Sequence, residues 1–142
     1  SSCIHIFRNA IDHGIESIEE RVAKNKTPFG VIKVEINQSS ENEITISIRD
    51  NGRGLEPDKL KKKAKKSSDT LAKEFSKKNN EDYLQIIFEQ GFSTKENVDQ
   101  VSGRGIGLEA VKSEVVKLKG SIRVSSVVDE GTTFVIRLPI YL

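Results

Sequence analysis

Three groups of residues carry side chains or spacings that can do chemistry. The first is "VSGRGIGLEAVK", residues 101–112, with Gly103, Gly105 and Gly107 inside five positions and helix formers directly after them. Glycine lets a backbone turn sharply and approach a ligand closely. A helix that starts just beyond such a cluster points free N–H groups outward, and its dipole favours an anion, with a phosphate chain the obvious guest. A dinucleotide fold of the Rossmann type needs a buried strand before the glycines. The preceding residues, "STKENVDQVS", are too polar for one. The Gly-Lys-Ser/Thr ending of a P-loop is missing as well. On these residues alone, a loop with a helix cap remains the alternative to a phosphate site.

The second group is His5, Asn9, Asp12 and Glu16, recurring at steps of four, three and four, with His13 close by. That spacing makes a polar stripe on a helix. Asn9 offers a neutral oxygen to a hard cation such as Mg²⁺. His5, one turn earlier, has the chemistry of a general base near neutral pH. Solvated surface residues are the alternative reading. The third group is Asp50-Asn51-Gly52-Arg53-Gly54. A carboxylate at a strand end can accept a hydrogen bond from an exocyclic amine such as that of adenine, and Gly52 and Gly54 would let the chain pass a flat base. An ordinary Asp-Asn-Gly turn is the alternative.

The elements that must position these groups are legible from periodicity. Residues 3–24 read as one amphipathic helix, with Ile4, Phe7, Ile11, Ile15, Ile18 and Val22 on a single apolar stripe. Residues 31–37 and 43–49 alternate as strands of an antiparallel hairpin. A helix over 58–66, with Pro57 in its first turn, follows. A weaker helix is expected before Asp82, then a short one over 83–89. Residues 92–105 read as a mobile loop. A helix over 106–119 carries Leu108, Val111, Val115 and Leu118 on one stripe, with Gly120 as its stop. Strands over 121–128 and 132–140 flank a turn at 129–131. One-faced strands and one-striped helices bury most simply as an α+β two-layer sandwich: a mixed, mostly antiparallel sheet with helices on one face.

Bulk properties narrow the classes. A chain of 142 residues favours a single domain over 1–142. The net charge of +2 gives no strong field toward nucleic acid or membrane. No apolar run approaches the roughly 18–20 residues of a spanning helix. The first residues read as an amphipathic helix and not as a secretory leader. The single cysteine, Cys3, excludes an internal disulfide and a thiolate zinc cluster, and points to a reducing, cytoplasmic setting. The lysine run "KLKKKAKK", residues 59–66, has few nearby aromatics for base stacking and is followed by acids, so it reads as a solvated helix face.

Read together and in order, "HIFRNAIDHGIE", "DNGRGL", "IFEQGFSTK", "VSGRGIGLEAVK" and "EGTTFVIRLP" strongly resemble the N-box, first G-box, F-box, second G-box and terminal Gly-Thr segment of the Bergerat (GHKL) ATP-binding domain of histidine kinases, most closely the CheA-like chemotaxis kinases. The resemblance spans nearly the whole chain. It implies ATP and Mg²⁺ as ligands, with Asn9 binding the metal on the nucleotide phosphates. It implies His5 as the general base, with Arg8, Asp12 and His13 along the phosphate side. Asp50 would take the adenine amine, with Gly52 and Gly54 shaping that pocket and Thr132 supporting it through its hydroxyl. Lys59 falls where such kinases have a lysine near the phosphates. Ser102, Gly103, Arg104, Gly105, Ile106, Gly107 and Leu108 would form the phosphate-side edge, and Phe88 and Phe92 would pack the lid.

The resemblance further implies transfer of the ATP γ-phosphoryl group to a histidine on a separate phosphotransfer domain, in cis or in trans. A response regulator would lie downstream and the parent kinase would be dimeric. No membrane contact is expected of this domain. Such domains carry a further strand and helix before the N-box, so the chain reads as an N-terminally truncated fragment of a longer kinase. The wider group also contains modules that use ATP as a switch or hydrolyse it; His5, the Asp12-His13-Gly14 match and the F-box favour the kinase.

Overall fold

The computed structural model describes residues 4–92 and 107–140. Four strands form one sheet in the order β1-β2-β4-β3. They are β1 (Ile32–Ser40), β2 (Glu43–Asp50), β3 (Ser121–Val127) and β4 (Gly131–Pro139). All three pairings among the described residues are antiparallel. The register aligns Val34, Ile48, Phe134 and Val124 in one apolar row, and Ile36, Ile46, Ile136 and Ile122 in the next. Each row follows from strand alternation, which sends every second side chain to the same face.

The helices lie against that face at the β4–β3 end. α3 (Pro57–Ser67), α4 (Asp69–Phe75) and α5 (Asn80–Tyr83) lead into a 3₁₀ turn over Leu84–Phe88. Leu60, Ala64, Leu71, Phe75 and Ile86 from these pieces are buried with Ile48, Phe134 and Val124. Phe88 meets Phe134 edge-on with centroids 6.0 Å apart, a favoured aromatic geometry. α6 (Leu108–Lys117) adds Leu108, Val111 and Val115. Burial fades toward β1, where Val34 and Ile36 stay exposed although their row is continuous.

Two expectations are corrected. The single helix over 3–24 is three pieces. α1 (Ile4–Asn9) runs into a π-helical turn over Ala10–Gly14, and α2 (Ile18–Ala23) starts afresh. The Ile15 N–H donates to the Ala10 carbonyl at 2.7 Å, one residue beyond α-helical spacing. Ser17 then caps α2 by accepting from Glu20 N–H at 3.2 Å. The extra residue and the break rotate the faces. Ile4, Ile11, Ile18 and Val22 from the expected stripe are more than half exposed, while Ile6, Ala10, Glu16 and Arg21 are buried.

The second correction is the end of α6. Lys119, not Gly120, takes the left-handed conformation, at φ 64°. Lys119 N–H donates to Val116 O at 2.9 Å and Gly120 N–H to Val115 O at 2.9 Å, the Schellman closure. Leu118 is turned outward by that closure. Gly120 is needed for another reason: a side chain there would run into the Arg137 carbonyl.

Candidate functional site

The end of β2 delivers Asp50 to the interior, where it is 5% exposed. Gly52 N–H donates to its Oδ1 at 2.9 Å, and the Thr132 N–H at the start of β4 also bonds the carboxylate. Burial pushes the Asp50 carboxyl above its ordinary value; the two N–H groups pull against that, and the nearby Glu16 carboxylate adds to the rise. An anionic acceptor is thus held on fixed backbone donors. Thr132 serves it through its backbone, while the Thr132 hydroxyl lies 3.2 Å from Ser126 Oγ.

The π-turn brings part of the second group, Asn9 and His13, to the same place. Gly14 sits over Asp50, and a Cβ on Gly14 would lie 3.5 Å from Asp50 Oδ2. Arg53 N–H donates to the Gly14 carbonyl at 2.8 Å. Gly52 packs on that same carbonyl so closely that a side chain would overlap it. Gly54, at φ +75°, lets the chain leave the strand end past the Val127 carbonyl.

Between these elements lies a cavity of about 370 Å³. Asn9, His13 and Gly14 line it from the N-terminal side, Asp50 and Gly54 from the strand end, Thr132 from β4, and Gly107 and Leu108 from the start of α6. A size of a few hundred cubic ångströms with apolar walls and a few convergent polar groups suits a small-molecule ligand. Leu55, Leu60, Ile87 and Phe134 supply apolar wall.

His5, Arg8, Asp12, Gly52 and Lys59 do not line this cavity. His5 and Arg8 are half-buried on α1, and Asp12 points to solvent. Lys59 is 75% exposed and pairs with Glu56 at 3.4 Å. Ser102, Gly103, Arg104, Gly105 and Ile106 fall outside the described residues, as does Cys3.

Two residues that spacing did not single out belong to the site. Lys63, one turn after Lys59, lines the cavity with its Nζ 4.6 Å from the centre of the Phe92 ring. Burial lowers the Lys63 pKa. Phe92, read from sequence as lid packing, is itself a cavity wall. The signal for Lys63 was present in the four-residue helical step from Lys59, but six lysines in one run hide the one that faces inward.

The site's donor set bears on metal binding. Among the described residues no group of three His, Cys, Asp or Glu side chains could hold an ion. A single amide oxygen, that of Asn9, fits a hard cation that takes most of its ligands from phosphate and water.

The whole chain, residues 1–142, matches the family model described as "Histidine kinase-, DNA gyrase B-, and HSP90-like ATPase". It is 41% identical over 140 residues to the sensor histidine kinase CheAY of Helicobacter pylori, covering 98% of this chain and 17% of that one. It is 37% identical to the chemotaxis protein CheA of Bacillus subtilis (98% and 20% covered), and 36% identical to that of Halobacterium salinarum (96% and 20% covered). A mycobacterial sensor histidine kinase, MprB, aligns in structure with a TM-score of 0.49 and 25% identity over 82% of this chain and 63% of its own. The chain spans about a fifth of the length of the curated relatives it matches. No helix of the described residues is long and apolar enough to cross a membrane.

Proposed function

Because the chain belongs to the histidine kinase-, DNA gyrase B- and HSP90-like ATPase family, we propose that it is the ATP-binding catalytic domain of a CheA-like histidine kinase, passing the γ-phosphoryl group of ATP to a histidine on a separate phosphotransfer domain. The observation that carries this reading is the convergence of Asn9, His13, Lys63 and Asp50 on one cavity. These residues come from three different elements of the helical layer and one strand end, and together they suit the two ends of a nucleotide.

Asp50 is the acceptor for the adenine 6-amino group, oriented by the N–H groups of Gly52 and Thr132. Asn9 and His13 take the phosphate side, where Lys63 supplies a cation partly withdrawn from water. Mg²⁺, bound through the phosphates and Asn9, would neutralise charge on the transferring group. In the transfer the bond between the γ-phosphorus and the β–γ bridging oxygen breaks, a P–N bond to the acceptor imidazole forms, and ADP leaves with the bridging oxygen. His5, one turn before Asn9 on α1 and outside the cavity lining, is assigned the proton that the acceptor imidazole gives up. Positioning and charge neutralisation account for most of the barrier lowering in such transfers. The acceptor domain, a downstream response regulator, a dimeric parent and a cytoplasmic setting belong to the same proposal; the support is the similarity to CheA kinases.

The test is transfer from γ-³²P-ATP to a phosphotransfer domain of the CheA type, supplied in trans or fused. Acid-labile, alkali-stable label on that domain is expected. Tight ATP binding with release of inorganic phosphate and no phosphohistidine would replace the kinase with an ATPase.

A further inference from the structure

Glu16 and three cations form the most heavily paired polar cluster among the described residues, and nothing in the nucleotide reading uses it. The Glu16 side chain has no exposure. Its Oε1 accepts from Arg21 Nη1 at 3.0 Å, and its Oε2 accepts from Lys26 Nζ at 2.6 Å and Lys24 Nζ at 3.3 Å. A buried carboxylate is expensive to desolvate and stays ionised only with such partners.

What the cations do with their remaining donors is the informative part. Arg21 Nη1 also donates to the Asn51 carbonyl at 3.0 Å. Lys26 Nζ also donates to the Gly52 carbonyl at 2.8 Å. Lys24 Nζ reaches Asp129 Oδ1 at 2.8 Å, and Asp129 N–H donates to the Arg53 carbonyl at 2.8 Å. Three successive carbonyls of the turn after Asp50 are therefore held, directly or through one residue, by cations anchored on Glu16. Gly52 is the residue whose N–H orients the Asp50 carboxylate.

We infer that Glu16, Arg21 and Lys26 are positioning residues for adenine recognition: the ionic cluster sets the Asn51–Gly52 carbonyls, the Gly52 N–H follows, and the Asp50 acceptor is thereby aimed at the base. The inference rests on the proposed role of Asp50. Lys26 acts at the turn itself, because its ammonium bridges the Glu16 carboxylate, the Gly52 carbonyl and, at 3.4 Å, the Asn51 carbonyl, which lies in the same planar peptide as the Gly52 N–H. Removing it frees the Gly52 carbonyl and leaves Asn51 to Arg21 alone, while Arg21 and Lys24 still satisfy the carboxylate.

The experiment compares equilibrium affinity of the 142-residue chain for ATP and for purine-riboside 5′-triphosphate, which is ATP without the 6-amino group. Wild type, Lys26→Met, Lys26→Arg and Asp50→Asn are measured together. Loss of one charged hydrogen bond predicts that Lys26→Met reduces the preference for ATP about tenfold while its affinity for the amine-free nucleotide stays within about twofold. Lys26→Arg, which keeps a cation and several donors, should restore most of the preference. Equal weakening of both nucleotides in Lys26→Met, or an unchanged preference, would overturn the inference. So would failure of both Lys26 variants to fold, which would assign the cluster to stability alone. Asp50→Asn separates the two readings. If it leaves the preference intact, the base-pocket role of Asp50 fails; if it removes the preference while Lys26→Met does not, only the positioning role fails.

Discussion

The backbone N–H of Arg53 donates to the carbonyl of Gly14 at 2.8 Å. This bond joins two segments 39 residues apart, the π-turn that carries His13 directly after Asn9 and the strand-end turn that follows Asp50. It forms because the π-turn leaves the Gly14 carbonyl outside the helical ladder, and because Gly52 has no side chain to keep the segments apart.

Gly52→Ala should therefore both destabilise the fold and weaken nucleotide binding. The added methyl meets the Gly14 carbonyl carbon and oxygen, and backbone cannot rotate away as a side chain can. Overpacking of this kind costs about 1–3 kcal/mol. The urea midpoint should fall accordingly, and an unchanged midpoint would show that the two turns separate freely.

Asp50→Asn keeps the shape of the side chain and removes the charge that accepts the adenine amine. ATP and ADP should weaken alike, by about tenfold to a hundredfold, because both carry the base. Titration calorimetry with both nucleotides reads this directly. A loss confined to ATP would place Asp50 at the phosphates instead.

Asn9→Ala should abolish the contribution of Mg²⁺ to ATP affinity while leaving metal-free binding close to wild type. The amide oxygen is the ligand that Asn9 offers, and adenine recognition lies with other residues. Affinity measured with Mg²⁺ and with EDTA separates the two. A wild-type Mg²⁺ enhancement in the variant would move the metal contact elsewhere.

Lys63→Met and Lys59→Met should differ, although the two lysines are one helical turn apart. Lys63 lines the cavity, whereas Lys59 is 75% exposed beside Glu56. Loss of a partly desolvated cation near phosphate predicts about tenfold weaker ATP binding for Lys63→Met and a change within about twofold for Lys59→Met. The reverse ranking would return the phosphate contact to Lys59.

Acid should unfold the chain through Glu16. Burial alone would raise that carboxyl, but the hydrogen bonds from Lys26, its own backbone N–H and Lys24 hold it down to about 2, against an unfolded value of 4.5. The stability this supplies is fully present above about pH 4.5 and is lost as pH falls toward 2. Its size is on the order of 3 kcal/mol. Asp50 works in the opposite sense, since its raised pKa makes the folded state take up a proton first, so its contribution grows as pH falls. The gap between the denaturant midpoints of wild type and Glu16→Gln should narrow as pH falls from 7 to 3. A constant gap would show that the Glu16 charge is not what titrates.

Much of this molecule is legible in one dimension. The alternation Ile44-Ile46-Ile48 and Phe134-Ile136-Leu138 decides which strand faces bury, and the register aligns those residues as expected. Asp50 stands out by type and position and Thr132 through the family resemblance, and both line the cavity. The N-terminal segment departs from its apolar spacing because a 3.6-residue period does not continue through a π-turn and a break. Nothing in the apolar spacing marks either, although Gly14 and Ser17 could have been read as a stop and a new cap.

The sequence by itself determined the strands, the core rows, the order of the motifs and the family. Those depend on local periodicity and on residue types at fixed offsets, which a string records completely. Only the tertiary structure decided which of six lysines in residues 59–66 faces the cavity, that Glu16 turns inward to three cations, and that Thr132 supports Asp50 through its backbone. Each of these depends on where a side chain's partners lie after distant segments meet. Glu16 is buried because Arg21 and Lys26 arrive with the Asn51 and Gly52 carbonyls already in reach, and that meeting is a property of the folded chain.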